Sequence, residues 1–147
     1  MRLIQVLALG AGLVMQAKAY DITIYDNVWN CQANDNSKYR IYTGNSDQCI
    51  NVWDVPPSDA ECSLYTDGGF GGPVACPKDY NFLGDSVFFN DLHTQVAGTN
   101  DCWSCEFFSA SNCEVPVYNG VSNLKCQSWG GDGIWSFKCG PSKTIGC

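Results

Sequence analysis

Basic residues are scarce in this sequence. Its 147 residues include eight Lys and Arg against fifteen Asp and Glu, and a single histidine. Arg2 and Lys18 both precede residue 20, so a chain that starts at residue 20 keeps six basic residues and has a net charge of −9. Non-specific binding to nucleic acid and electrostatic docking on anionic membranes both need positive charge. We therefore expect no nucleic-acid partner and no electrostatic attachment to membranes.

Long apolar segments are missing after the first nineteen residues. A positive start at Arg2 is followed by a mostly apolar run over residues 3–15, and Ala17-Lys18-Ala19 matches the small-x-small cleavage pattern. The run is short for a spanning helix, which needs about 20 residues. We expect residues 1–19 to be a signal peptide. Residues 20–147 are then expected to form one secreted, extracellular domain without a membrane span.

A helical hydrophobic period is also absent, since no segment sustains one over about three turns. Apolar and polar residues instead alternate in short segments, with turn signals about every 8–12 residues. This pattern predicts an all-β sandwich or barrel. Trp53 and Trp135 fall in alternating segments, so we expect them to be structural. The predicted strands cover residues 20–25, 38–43, 49–53, 62–65, a segment starting at 74, and residues 102–108, 113–118, 122–128 and 134–139.

Cysteine, in contrast, is abundant. An even number of cysteines after a signal peptide predicts a disulfide-rich extracellular domain, with up to five bridges whose pairing stays open. Each bridge is expected to stabilise the fold by about 2–4 kcal/mol. Cys102 and Cys105 have C-x-x-C spacing, but no βαβ context for a redox pair is visible, so we expect two structural half-cystines. The ten cysteines are Cys31, Cys49, Cys62, Cys76, Cys102, Cys105, Cys113, Cys126, Cys139 and Cys147.

Residues 61–98 contain the most distinctive local sequence. A short alternating strand ends at Leu64-Tyr65, a glycine-rich corner follows at 67–73, and a polar box, Asn90-Asp91-Leu92-His93-Thr94-Gln95, comes near the end. Residues 44–49 look like a degenerate copy of that box, which indicates an internal repeat. We interpret residues 61–98 as one four-stranded Greek-key unit with a polar box before its last strand.

The corner and the box together resemble the βγ-crystallin Greek-key family. That family's motif places an aromatic and a glycine in a tight corner, as Tyr65, Phe70 and Gly71 do here. The resemblance covers about residues 21–98. It implies a disulfide-rich, βγ-crystallin-like Greek-key sandwich with an additional C-terminal β segment. It also implies the secreted, cysteine-rich branch of the family, which includes killer toxins, plant antimicrobial proteins and fungal apoplastic effectors.

The same resemblance implies a calcium site, because calcium-binding members carry a box of two Asn or Asp, two variable residues and Ser/Thr-Ser. Calcium takes about six to eight oxygen ligands. Alternatively, Asp91 and Thr94 only cap a turn. No cofactor other than calcium is expected. The candidate metal ligands are Asn90, Asp91, the Leu92 carbonyl and Thr94, completed by Asn45 or Asp47.

Two tryptophans are candidates for glycan binding. Trp29 and Trp129 lie in or beside predicted loops, whereas tryptophans in strands are expected to pack internally. An exposed Trp presents a flat apolar face on which a sugar ring can stack. We therefore predict that Trp29 and Trp129 contact a glycan.

Compartment and resemblance together favour a monomeric, non-catalytic secreted protein. Its expected role is that of an effector or antimicrobial toxin-like protein that binds an extracellular protein or a cell-wall glycan. Two alternatives stay open. One is a small secreted hydrolase or ribonuclease in which His93 acts as general base beside Glu61 or Glu106. The other is a calcium-stabilised structural protein.

Overall fold

The computed structural model describes residues 18–91, 101–120, 125–128 and 132–146. Within these ranges the chain is all-β, as predicted, and has two single-turn 3₁₀ helices at Asp67–Gly69 and Ser111–Cys113 but no α-helix. No helix in these ranges is long and apolar enough to cross a membrane. The strands are β1 (Tyr20–Tyr25), β2 (Tyr39–Gly44), β3 (Cys49–Asn51), β4 (Ala60–Thr66), β5 (Gly71–Ala75), β6 (Ser86–Asp91), β7 (Asp101–Phe108), β8 (Pro116–Gly120), β9 (Cys126–Ser128) and β10 (Ser136–Gly146).

The strands form two antiparallel sheets. The first has the order β5-β4-β2-β1-β6-β9, and the second has the order β3-β10-β7-β8. Successive side chains of a strand point to opposite faces of the sheet. In β1, Ile22 and Ile24 face the core and are fully buried, whereas Asp21 and Tyr25 are only partly buried. One apolar core lies between the sheets, and its aromatic contacts include Tyr42 with Phe137 at 4.9 Å between ring centroids.

The ten strands include two sets of four that have the same arrangement. The first set is β1, β2, β3 and β6, and the second is β7, β8, β9 and β10. In each set, the first strand lies between the second and the fourth. The third strand of each set joins the other sheet, so that β3 pairs with β10 and β9 pairs with β6. The β4–β5 hairpin is additional and extends the first sheet beside β2.

Matching side-chain contacts accompany this repeated plan. Ser86 and Ser136, which begin β6 and β10, are fully buried. The Ser86 hydroxyl donates a hydrogen bond to the Val28 carbonyl, and the Ser136 hydroxyl donates one to the Ala110 carbonyl at 2.6 Å. Each acceptor belongs to the segment between the first two strands of its own set. Each serine therefore holds the equivalent loop against the start of the fourth strand.

The disulfides repeat in the same way. Cys31 and Cys113 lie in the two equivalent loops, three residues after the carbonyls that accept from the serines, and have φ of 56° and 59°. Cys31 is bonded to Cys126 in β9, and Cys113 is bonded to Cys49 in β3. Each disulfide thus fixes the strand that the opposite set contributes to the sheet.

The other cysteines also agree with the predicted disulfide framework. Cys62 is bonded to Cys76 across the β4–β5 hairpin, and Cys105 is bonded to Cys139, its direct neighbour across β7 and β10. Cys102 is disulfide-bonded as well. Because Cys105 pairs with Cys139, the Cys102-x-x-Cys105 segment is not a redox disulfide, as expected. Cys147 lies outside the described residues.

A buried arginine links the two sheets. Arg40 in β2 is fully buried, and its guanidinium donates hydrogen bonds to the carbonyls of Val52 at 2.7 Å and Pro77 at 2.8 Å. Its Cζ lies 4.6 Å from the centroid of the Phe82 ring. The Tyr42 hydroxyl, also on β2, donates to the same Val52 carbonyl at 2.9 Å, and burial raises the pKa of Tyr42 to about 12. Val52 directly follows β3, so these bonds run from the first sheet to the second.

The structure differs from the sequence-based expectation in how residues 61–98 are arranged. They do not form one contiguous four-stranded unit, because β4 and β5 lie on one side of β2 and β1 while β6 lies on the other. The β1–β2 hairpin occupies the centre, since both edges of β1 are paired. Residues 92–98 lie outside the described ranges. The glycine-rich corner consequently belongs to an edge hairpin.

Several strands also begin or end at residues other than the predicted ones. The third strand ends at Asn51, two residues early, because the chain turns there with the Asp54 amide donating to the Asn51 carbonyl at 3.1 Å. The strand predicted from residue 113 begins at Pro116, after a turn in which Asn112 and Cys113 have positive φ. The last strand, β10, extends beyond the predicted residue 139 to Gly146.

The paired serines yield a stability prediction. We expect Ser86→Ala and Ser136→Ala each to lower the free energy of unfolding by about 1–3 kcal/mol, because each leaves a loop carbonyl without its donor. Chemical denaturation with the disulfides intact measures the change. Ser58→Ala, at an exposed position, is the matched control and should change little. Similar stabilities for all three variants would contradict the proposed holding contacts.

Arg40 yields a second stability prediction. Arg40→Met keeps an apolar stem beside Phe82 but removes the donors to the Val52 and Pro77 carbonyls, so we expect a loss of about 2–4 kcal/mol. Arg40→Lys retains a charge with fewer well-placed donors and should be intermediate. Denaturant unfolding of the disulfide-intact variants tests this order. A methionine variant as stable as the parent would show that these bonds do not contribute to closure of the sandwich.

Candidate functional site

The residues of the expected calcium site are only partly described. Leu92 and Thr94 lie outside the described residues, and of Asp91 only the backbone, at the end of β6, is described. Asn90 is exposed, and its amide nitrogen donates hydrogen bonds to Asp21 at 2.8 Å and to Thr23 at 2.9 Å. In the described part of the chain, no three His, Cys, Asp or Glu side chains are grouped so that they could hold a metal ion.

The topology nevertheless brings the two predicted boxes to one end of the first sheet. Asn45 and Asp47 follow β2, whose last residue, Gly44, pairs with Tyr20. Asp91 pairs with Asp21, the next residue of β1. The two segments therefore flank the start of β1. They are not equivalent within the structural repeat, because both belong to the first set, where one precedes the third strand and the other begins within the fourth.

The tryptophans predicted to bind glycan lie in different situations. Trp29 is 60% exposed and lies in the loop after β1, so its expected surface position is confirmed. Trp129 lies outside the described residues. Trp135 is half-buried, and its indole nitrogen donates to the Asp132 carbonyl at 2.9 Å. A structural role for Trp135 agrees with that contact.

The residues of the alternative enzymatic site are not brought together in the described ranges. His93 lies outside them. Glu61 is in β4 of the first sheet and Glu106 is in β7 of the second, and both are exposed. Glu106 faces its strand neighbour Lys138, and both line an open depression of about 240 Å³. Glu61 accepts a hydrogen bond from Lys18 at 2.7 Å, which lowers the pKa of its carboxyl group.

An aromatic pair that the sequence did not suggest lies beside Arg40. The rings of Trp53 and Tyr80 stack with centroids 4.6 Å apart and planes inclined by 29°. Trp53 was expected to be a structural residue in a strand, but the early turn after Asn51 leaves it partly exposed. Tyr80 comes from the loop after β5 and is 66% exposed. We call this pair, with the adjacent Asp54 and Lys78, the Trp53–Tyr80 platform.

Hydrogen bonds fix the two loops that carry the rings of the platform. The Asp79 amide donates to the Trp53 carbonyl at 2.8 Å, which joins the two loops directly. The Trp53 indole nitrogen donates to the Ser111 hydroxyl at 3.2 Å. Arg40 bonds the carbonyls on either side of Trp53, at Val52 and more weakly at Asp54, as well as that of Pro77. A single buried guanidinium therefore fixes both loops that carry the rings.

Charged groups border the two rings. The Lys78 ammonium lies 5.0 Å from the Trp53 ring centroid, 5.1 Å from the Tyr80 centroid and 3.6 Å from an Asp54 carboxylate oxygen. Hydrogen bonding to Tyr80, together with the charge of Asp54, raises the pKa of Lys78. Because its distances to the two centroids are nearly equal, the ammonium lies beside the stack and does not cover the outer face of Tyr80.

A second aromatic group lies on the outer face of the first sheet. Tyr25, Tyr39 and Tyr65 are direct neighbours across β1, β2 and β4. The Tyr39 and Tyr65 rings stack at 4.9 Å with planes inclined by 12°, and Tyr25 packs on Tyr39 at 5.4 Å. Burial raises the pKa of Tyr25 and Tyr39. The central ring thus has both faces covered, so this row is structural and offers no free central face for stacking.

The glycine-rich corner exposes a third aromatic. Phe70 is 91% exposed and borders an open depression of about 270 Å³ together with Tyr39, Gly68 and Gly69. Gly72 has a φ of 108°, and a Cβ there would lie 2.5 Å from the Leu64 carbonyl oxygen. The corner therefore requires glycine at that position, and its conformation directs Phe70 into solvent.

Sequence reasoning missed the platform because its two rings come from segments 27 positions apart. The only local signal was a Lys-x-Tyr segment, Lys78-Asp79-Tyr80, directly after Cys76-Pro77. A loop bounded by a disulfide and rich in polar and aromatic residues is typical of a binding surface. Nothing local identified Trp53 as its partner.

Comparison of this chain with family models, with curated proteins and with solved structures finds no match. Its function therefore has to be argued from its own residues.

Proposed function

We propose that the domain is a duplicated Greek-key sandwich of the βγ-crystallin type. In a Greek key the fourth strand returns to lie beside the first. The positions of β6 beside β1 and of β10 beside β7 support this proposal. The equivalent contacts of Ser86 and Ser136 support the duplication. The β4–β5 hairpin would then be an insertion in the first key.

We further propose that the protein is a secreted, non-catalytic effector or antimicrobial toxin-like protein that binds an extracellular protein or a cell-wall glycan. The observation that carries this proposal is the exposure of three aromatic side chains, Trp29 at 60%, Phe70 at 91% and Tyr80 at 66%. Aromatic side chains bring a large apolar area to an interface at a small entropic cost. The Cys31–Cys126 and Cys62–Cys76 disulfides hold the segments that carry these side chains before any partner arrives.

Disulfides support the extracellular part of the proposal. Four bridges are described, and several disulfides in a small protein are typical of proteins outside the cell. Two carboxyl groups with raised pKa values also fit a protein that works at acidic pH. Asp26 and Asp85 lie near the end of β1, and burial raises the pKa of both carboxyl groups. Protonation of these two groups therefore favours the folded state.

We predict a pH dependence from these two carboxyl groups. A group with a raised folded-state pKa contributes stability below its unfolded pKa and loses it as the pH rises through the folded value. Lowering the pH from neutrality toward the ordinary aspartate pKa of about 4 should therefore stabilise the protein through Asp26 and Asp85. Urea unfolding across this range measures the effect.

Variants isolate this contribution. The double variant Asp26→Asn, Asp85→Asn should lose the part of the pH slope that the two groups cause. Asp35→Asn, at an exposed position, is the control and should keep the parental slope. An unchanged slope in the double variant would show that these carboxyl groups do not titrate differently in the folded and unfolded states.

A binding screen tests the proposed function. The chain of residues 20–147 is incubated with insoluble chitin, β-glucan and cellulose, and with immobilised extracellular proteins. We expect retention on at least one glycan or protein, and loss of retention after reduction and alkylation. Trp29→Ala should weaken glycan retention if the sequence-based prediction for this residue holds. Failure to bind any member of either class would reject the proposed function.

A further inference from the structure

The Trp53–Tyr80 platform differs from the other exposed aromatics in offering a supported ring with a free face. One face of Tyr80 packs on Trp53, and the side chain is 66% exposed, so the opposite face is open to solvent. The rings of Tyr25, Tyr39 and Tyr65 pack on one another in a row. Trp29 is exposed but has no ring contact in the described part of the chain. Among the exposed aromatic side chains of the described residues, Tyr80 is the one that packs on a second ring and keeps its other face open.

The hydrogen bonds that fix the platform reduce the entropic cost of binding a ligand. Each loop is fixed by Arg40, and the Asp79 amide joins the Lys78–Tyr80 segment to the Trp53 carbonyl. The Phe82 amide in turn donates to the Asp79 carbonyl at 3.0 Å, and Phe82 is buried against the Arg40 guanidinium. A ligand that stacks on Tyr80 therefore orders few new bonds, which favours affinity.

Beside the open face lie one donor group and one acceptor group. The Lys78 ammonium can donate to a hydroxyl, and the Asp54 carboxylate, 3.6 Å from it, can accept from one. A pyranose ring with equatorial substituents has a flat face of C–H groups and a rim of hydroxyls. Such a ring matches an aromatic face bordered by a donor and an acceptor.

The charge of the site indicates a neutral ligand. The Lys78 charge already has a carboxylate neighbour in Asp54, and the chain after residue 19 has a net charge of −9. A polyanionic glycan would approach a surface of the same sign. A protein partner would gain most from a continuous apolar patch, whereas Lys78 and Asp54 place charge directly at the border of the rings.

Resting on the proposed function, we propose that Tyr80, supported by Trp53 and bordered by Lys78 and Asp54, is a binding subsite for a neutral β-1,4-linked pyranose unit of a cell-wall glycan. Cellulose-type and chitin-type chains share this chemistry. The sugar stacks on the outer face of Tyr80, and its hydroxyls bond to Lys78 and Asp54. Arg40 acts as a positioning residue, because it contacts the loops and not the ligand.

Soluble oligosaccharides test the subsite. Cellohexaose and chitohexaose are titrated by calorimetry into the chain of residues 20–147, with polygalacturonate as the anionic comparison. We expect binding of at least one neutral hexamer and none of the polyanion. Tyr80→Ala should weaken neutral-glycan binding about tenfold, which corresponds to the loss of one aromatic stacking contact. Tyr80→Phe keeps the face and should stay within about threefold of the parent.

Two controls separate stacking from damage to the fold. Val74→Ala removes exposed apolar groups from the β4–β5 hairpin and should leave the affinity unchanged. The melting temperature of Tyr80→Ala should stay close to that of the parent, because the side chain is mostly exposed. Trp53 fluorescence should shift on adding the hexamer to the parent, and this shift should be absent in Tyr80→Ala.

The outcomes distinguish this subsite from the proposed function. A neutral hexamer that binds the parent and Tyr80→Ala equally well would overturn the subsite but leave glycan binding intact. Binding of an extracellular protein in the screen, with no hexamer bound, would overturn the subsite and keep the protein-binding form of the function. Absence of any bound glycan or protein would reject both.

Discussion

Closure of the sandwich depends on a contact from β2 to the segment after β3. Arg40 and Tyr42 both face the core from β2 and donate to one carbonyl, that of Val52. None of the four described disulfides joins the first sheet to the second, since each links elements of a single sheet. The disulfides therefore shape each sheet, while the apolar core and hydrogen bonds that include these two link one sheet to the other.

The same contact explains why the exposed aromatics of the platform are ordered. Burying a guanidinium is costly unless other groups replace water, and here backbone carbonyls accept from its two terminal nitrogens while the Phe82 ring packs on it. Those carbonyls belong to the two loops that carry Trp53 and Tyr80. The hydrogen bonds of one buried guanidinium thus fix the two loops that carry the surface rings.

Local pattern was sufficient for much of the fold and for little of the candidate site. Alternation over residues 20–25 and 102–108 predicted β1 and β7 because a half-buried strand imposes a period of two on its own sequence. The end of β3 was wrong because the chain turns after Asn51, and the Val52 carbonyl in that turn bonds to side chains from β2 that no local pattern reveals. The pairing of Trp53 with Tyr80 has the same origin, since both loops are joined through Arg40 and through the Asp79–Trp53 backbone bond, which are long-range contacts.

The structural repeat is also clearer in contacts than in sequence. The boxes at residues 44–49 and 90–95 resemble each other, yet both belong to the first strand set, one before its third strand and the other beginning within its fourth. The equivalent positions are instead Ser86 with Ser136 and Cys31 with Cys113, whose surroundings share little sequence. A buried hydroxyl that holds a loop constrains one residue and one carbonyl, whereas the neighbouring side chains are free to change.

Because each set supplies its third strand to the other sheet, with Cys49 and Cys126 fixing those strands, neither set has a complete sheet alone. The two sets therefore complete each other's sheets, and the platform lies where the segment after β3 meets β2 across the core.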